Sequence, residues 1–257
     1  MFFVQISDTH VTRSGEPTEY SADPGVALAR CVDQVRRMVP APEAILASGD
    51  LANLGDEAEY ERLRTLLAPL TMPIYLIPGN HDLRAPLCRV FRGRSYLPGD
   101  PSSIFYCIEQ HTVRLIALDT VTEGEGGGTL DDRQLGWLEE TLSAAPKRPT
   151  IVFMHHPPFR TGLACMDEIG LAADSARSLG NIIARHPCVE RILCGHVHRD
   201  IHAHWHGTTV SCCPSTAFQM AFDLREEAAF IAGAEPPAYQ VHCWNGVQLA
   251  THTVNVL

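Results

Sequence analysis

Short apolar runs alternate with longer stretches of helical spacing along this chain. Phe2–Ile6 reads as a strand, and over residues 26–39 Val26, Ala29, Val32, Val35 and Met38 gather near one helical face. Ala44–Ser48 is a second strand, Glu57–Leu67 a helix with Leu63, Leu66 and Leu67 inward, and Ile74–Ile77 a third strand ending at Pro78-Gly79. Through Gly79 the chain therefore runs β-α-β-α-β, which predicts a layered α/β fold. Residues 103–109 and 113–119 predict a hairpin about the polar Gln110-His111-Thr112. A helix over 131–142, a strand over 151–154, a helix near 175–185 and a strand over 191–194 continue the alternation. From His202 onward the pattern is mostly β, with Thr208–Cys212 and a hairpin of 239–244 and 247–254 about Asn245-Gly246. His202, His204 and His206 alternate as one face of a partly exposed strand would.

Composition narrows the class. With 257 residues, 45% of them hydrophobic, the chain can bury one sizeable core. A single domain over 1–257 is expected. Its mostly β C-terminal part, 199–257, carries Phe218, Met220, Phe222 and Phe230 and is a candidate for dimerisation. No apolar run is long enough to span a membrane, and the start reads as a core strand rather than a signal peptide. Nine cysteines are scattered with no C-x-x-C pair, so buried reduced thiols in the cytoplasm are expected rather than a disulfide framework. The formal charge of −10 argues against stable nucleic-acid binding. It leaves room for a small anionic substrate, because two divalent cations reverse the field inside a cleft.

The candidate chemistry sits at the ends of five strand-like runs. Asp8 and His10 are two apart, so an extended backbone would aim both to one side. Asp50 follows Gly49, and its two oxygens can bridge two metals. Asn80, His81 and Asp82 follow Pro78-Gly79. The Asn80 amide oxygen is a neutral hard ligand, and His81 can donate a proton or a hydrogen bond to a phosphate. His155 and His156 are adjacent and should face opposite ways. His155 is thus the expected ligand, with His156 lining the substrate pocket. His196 and His198 share one face. Asp, His and Asn donors without Cys suit Mn²⁺, Fe or Zn²⁺, and the C-terminal strand ends of an open α/β sheet are where ligands bind.

In this order D-x-H, G-D, G-N-H-D, H and G-H-x-H resemble the calcineurin-like metallophosphoesterase superfamily, from Asp8 to His198. The stretches Ser7-Asp8-Thr9-His10 and Met154-His155-His156-Pro157-Pro158 look closest to bacterial class III cyclic-nucleotide phosphodiesterases and equally to the related glycerophosphodiesterases. The resemblance implies a four-layer αββα sandwich with two mixed β-sheets. It implies a first metal held by Asp8, His10, Asp50 and His198, and a second by Asp50, Asn80, His155 and His196; a mixed iron–manganese pair is compatible. It makes His81 the catalytic residue at the phosphate and places Asn53 near the substrate. The expected reaction is hydrolysis of a small phosphodiester, in a homodimer if the dimeric relatives are a guide. A ligand-binding scaffold without activity and a nuclease are the alternatives. The Gly-rich loop 122–129, which lacks the Lys of a P-loop, and the segment 162–170 are candidates for covering the cleft.

Overall fold

In the computed structural model, which describes residues 1–14, 16–98 and 101–257, the elements run β1 (Phe2–Ile6), α1 (Pro24–Arg36), β2 (Ala44–Ser48), α2 (Glu57–Leu67), β3 (Ile74–Ile77), α3 (Arg84–Val90), β4 (Tyr106–Ile108), β5 (Arg114–Ala117), α4 (Asp132–Ala144), β6 (Thr150–Phe153), α5 (Ala164–Glu168), α6 (Ala173–Ile183), β7 (Val189–Cys194), β8 (Ile201–Trp205), β9 (Thr208–Cys212), β10 (Ala238–Trp244) and β11 (Leu249–Asn255). They form two mixed sheets, ordered β11-β10-β1-β2-β3 and β4-β5-β6-β7-β9-β8. In the first, β1 pairs parallel with β2 and antiparallel with β10. In the second, β5, β6, β7 and β9 are parallel, and β4 and β8 are antiparallel edges.

The period-two alternation of the strands makes the layers. Leu115, Ala117, Ile151, Phe153 and Leu193 face the first sheet and share a core with Ile45, Leu46 and Leu76, and with Leu28 and Val32 of α1 and Tyr60 and Leu63 of α2. Their neighbours Ile116, Val152 and Ile192 face the other way, onto Leu135 and Leu138 of α4 and Leu179 and Ile183 of α6. The inner strands β5 and β6 thus bury both faces, which explains their near-continuous apolar sequences. The outcome is helices outside two stacked sheets, the αββα arrangement expected. Each fully buried Leu or Phe contributes about 1.5–3 kcal/mol relative to exposure.

Helix starts follow their caps. Asp23 accepts from the Gly25 amide ahead of Pro24, and Asp56 and Glu59 make a reciprocal capping box on α2. α1 therefore begins before Val26, and it ends before Val39 because the residue preceding Pro40 is disfavoured in helical conformation. The strands β4 and β5 are shorter than the expected runs, since only Tyr106–Ile108 and Arg114–Ala117 find partners. Two helices escaped the sequence pattern: α3 carries Pro86 in its first turn, and α5 is only five residues. The loop after β10 holds four residues rather than two, because Asn245 Oδ1 accepts from the Val247 and Gln248 amides. His202 and His204 are exposed on β8.

One buried carboxylate ties the turns after β2 and β3 together. Asp82 accepts from the amides of Leu51 (3.0 Å), Ala52 (3.0 Å) and Gly79 (2.8 Å) and from the Tyr60 hydroxyl (2.9 Å). Removing it strands three buried amides. Asp82→Ala is expected to lower unfolding free energy by about 3–5 kcal/mol, read from urea titrations; an unchanged midpoint refutes the clamp. Gly136 lies exposed within α4 with open space where a Cβ would go. Gly136→Ala is expected to raise stability by about 0.5–1 kcal/mol in the same assay.

Candidate metal centre

The side chains predicted to meet do meet, but not through extended backbone. Asp8 (φ 51°), His10 (φ 40°), Asp50 (φ 49°), His196 (φ 73°) and His198 (φ 52°) all occupy the left-handed region. Each chain folds back immediately beyond its strand, so the i and i+2 geometry expected for Asp8 and His10 does not apply. Asp and His tolerate this region better than most residues, yet each such residue stores about 1–3 kcal/mol. Hydrogen bonds between turns hold them: Asp8 N–H donates to Gly49 O (3.0 Å), His10 N–H to Asp50 O (2.9 Å), and His196 N–H to the Asp8 carboxylate (3.1 Å). Glycine is required where turns touch. A Cβ on Gly79 would lie 2.3 Å from the Asp50 amide nitrogen, and one on Gly49 (φ 92°) 2.4 Å from His155 Nδ1.

The donors form two groups that share Asp50. In one, atoms of Asp8, His10, Asp50 and His198 all lie within 4.8 Å of one another. In the other, His155 Nε2 and His196 Nδ1 stand 3.1 and 3.0 Å from Asn80 Oδ1. Asp50 turns one oxygen to each: Oδ2 is 3.6 Å from His10 Nε2 and Oδ1 3.5 Å from His155 Nε2.

The hydrogen-bond chemistry fits cations at both places. His155 Nδ1 donates to Ser48 O (2.8 Å), so its Nε2 presents a lone pair to the Asn80 and Asp50 oxygens. His198 Nδ1 donates to Phe218 O (2.8 Å), so its Nε2 lone pair faces His10 Nε2 at 3.1 Å and Asp8 Oδ1 at 3.5 Å. Acceptors so crowded repel unless positive charge lies among them. Burial works against a charged His155 ring, but Asp50, its hydrogen bond and Asp8 outweigh it and raise the pKa to about 9. A proton there does what a metal ion would. Burial, opposed by Asp50, drives His10 down to about 3. These residues could hold two hard or borderline cations.

His81 sits beside the pair without joining it. Its Nδ1 donates to Asn53 O (2.9 Å), its amide to Asp50 Oδ1 (2.9 Å), and its ring lies edge-on to His10 at 4.7 Å. Nε2 is left for a ligand. Asn53 lines the same cleft, of about 470 Å³, with its backbone orienting His81. His156 does not line it. The ring is fully buried, Nε2 donates to Gly126 O (3.0 Å), and Nδ1 accepts from the Thr120 hydroxyl (2.8 Å). Both nitrogens are spent on the loop behind the site, so His156 offers a substrate no contact; it packs on the His196 ring at 4.5 Å instead.

The cleft walls come from places the strand-end motifs do not mark. Cys165, Met166 and Ile169, from the 162–170 segment, form one side; Thr18, Glu19, Tyr20, Phe218 and Phe230 form another. The 122–129 loop lies behind, bridged at Gly128 to Val121 and Leu171. Phe218 and Phe230, read from sequence as subunit-packing residues, face the cleft; Phe222 remains exposed. No local sequence signal marks them, because they reach the site from loops between elements.

Known proteins resemble this chain. The chain is 33% identical over 254 residues to a probable glycerophosphodiester phosphodiesterase GpdQ of Arcobacter nitrofigilis, covering 98% of this chain and 92% of that one. It is 36% identical over 243 residues to a probable cyclic nucleotide phosphodiesterase of Rhodopseudomonas palustris, covering 93% and 86%. A dimetal phosphatase from Danio rerio has the same fold, with a TM-score of 0.75 at 14% identity over 100% of this chain and 96% of that one. Residues 1–200 match the family model for calcineurin-like phosphoesterases, and the chain belongs to that family.

Proposed function

We propose that this chain hydrolyses small phosphodiesters across two metal ions. The first would be held by Asp8, His10, Asp50 and His198, the second by Asp50, Asn80, His155 and His196. The observation that carries this reading is Asp50, which turns one oxygen to each donor group at the floor of a cleft. Bound there, the ions would neutralise the phosphate oxygens and supply a nucleophile at neutral pH.

The chain's own residues supply the rest. His81, fixed through Nδ1 on the Asn53 carbonyl, keeps Nε2 free, and there it would stabilise charge and deliver a proton to the leaving oxygen. Asn53 would contact the phosphate from the cleft side. The ligand set is complete, which favours an enzyme over a binding scaffold. Among the described residues no Lys or Arg lines the cleft, which favours a small substrate over a nucleic acid. The named relatives act on glycerophosphodiesters and on cyclic nucleotides, and both classes are carried forward. Mn²⁺, Fe and Zn²⁺ all suit the donors. No described helix is long and apolar enough to cross a membrane, and nine free thiols favour a reducing compartment such as the cytoplasm. Homodimerisation through 199–257 belongs to the same reading.

Asn80→Ala removes the oxygen between His155 and His196. The wild type is expected to bind two Mn²⁺ per chain, with a Tm that falls on chelation. Asn80→Ala should bind one tightly and lose about 10²–10³ in kcat on bis(p-nitrophenyl) phosphate. Equal metal content and equal rates in both proteins would remove the assignment. His81→Ala should keep both ions but lose about 10²–10⁴ in kcat; unaltered turnover would deny His81 its role.

A further inference from the structure

We infer that Gln5 is a positioning residue that sets the distance between the two sheets at the second donor group; this rests on the two-ion reading above. That group takes Asp50 and Asn80 from turns of the first sheet and His155 and His196 from turns of the second. Apolar packing between stacked sheets is non-directional, so it does not hold that distance to the precision ligands need. Gln5, fully buried on β1, supplies the direction. Its Nε2 donates to Ser48 Oγ (2.8 Å) at the end of β2 and, across the gap, to Cys194 O (3.0 Å) at the end of β7. Asp50 follows Ser48 by two residues, and His196 follows Cys194 by two. Ser48 O also accepts from His155 Nδ1 (2.8 Å). One amide therefore joins the strand ends from which Asp50 and His196 spring, at the residue that orients His155. The turns leave no slack there: a Cβ on Gly195 would come within 2.8 Å of Ser48 O.

The orientation of that amide is dictated from the far end of the sheet. Cys194 O can only accept, so Gln5 Nε2 faces it and Oε1 faces His242 Nε2, 3.2 Å away. That nitrogen must then carry the proton, which leaves His242 Nδ1 to accept from the Thr251 hydroxyl (2.9 Å). The Thr251 oxygen in turn accepts from Arg191 Nη1 (2.7 Å), and an arginine can only donate. Arg191 and Cys194 both belong to β7. The chain of donors thus leaves β7, passes through β11, β10 and β1, and returns to β7. His242 is neutral within it: burial, with Arg191 nearby, pushes its pKa down to about 3, and its ring stacks on Phe3 at 4.8 Å. The first donor group leans less on this chain. Asp8 and His10 continue β1 itself, and His198 is anchored on Phe218 O (2.8 Å).

The test uses Gln5→Met, which keeps the side-chain length but donates nothing, and Thr251→Val, which keeps the shape of a residue on the edge strand β11. Calorimetry with Mn²⁺ measures a Kd for each ion, the second being the one that Asn80→Ala loses. Electron paramagnetic resonance reads whether the two Mn²⁺ are coupled. Gln5→Met should raise the second Kd about 10–100-fold and replace the coupled spectrum by that of isolated Mn²⁺. Thr251→Val should raise the second Kd about three- to tenfold, with the first Kd within about twofold of wild type in both variants. Amide exchange of the metal-free proteins reads the same spacing without an ion. His196 N–H donates across the sheets to the Asp8 carboxylate. It should exchange about tenfold faster in Gln5→Met, while Val4 and Ile192 inside β1 and β7 keep their wild-type rates. Equal weakening of both ions, an unaltered second Kd or an unaltered His196 rate in Gln5→Met overturns the role. If Gln5→Met folds poorly, Thr251→Val decides, and an unaltered second Kd there overturns it as well. If the wild type holds no second ion, the two-ion reading fails and the His196 rate alone decides the role of Gln5.

Discussion

Crowding of electron pairs from two separate sheets is the constraint on which this structure turns. Asp8 and Asp50 come from the ends of β1 and β2, His155 and His196 from the ends of β6 and β7, and the donor atoms of the centre stand 3–4 Å apart. Bringing them so close needs chains that reverse direction within a residue or two of the strand end. That explains the five left-handed residues and the glycines whose missing Cβ atoms make room. It also explains why Asp82 is buried behind the turns. Its four hydrogen bonds are made entirely to the scaffold, and they hold against the repulsion before any ion arrives.

Much of the fold was legible because burial imposes periodicity. Strands buried on both faces wrote themselves as unbroken apolar runs, and α2 announced its start with Asp56 and Glu59. The donor residues were legible for a related reason: each stands directly after such a run. The backbone that aims them was not, since left-handed turns at Asp and His leave little trace beyond a neighbouring glycine. His156 shows the limit on side chains. Its position next to His155 suggested a place at the substrate, yet its ring nitrogens are taken by Thr120 and Gly126, residues far away in sequence. The cleft walls were hidden for the same cause, because Tyr20 and Phe230 converge from two loops with Met166 of the short helix α5.

The acidic balance of the chain takes on a local meaning. Carboxylates at the metal positions are matched by the ions they would hold, whereas Glu19 has no such counterpart in the cleft lining. The donors are built from strand ends, the cleft walls from loops and the short helix α5.

The central place of β1 bears on how the protein is made. The strand that carries the Asp8 turn lies between β2 and β10, and Ser215 Oγ and Thr216 N–H close on the carbonyls of Asp8 and Ser7. Ser215 stands 207 residues beyond Asp8 along the chain. The first donor in chain order is thus finished by residues that follow all the other donors, and contacts of such long sequence separation form slowly. The centre is consequently complete only once the chain has been made through Thr216. Until then the Asp8 turn lacks the Ser215 hydroxyl that closes on its carbonyl.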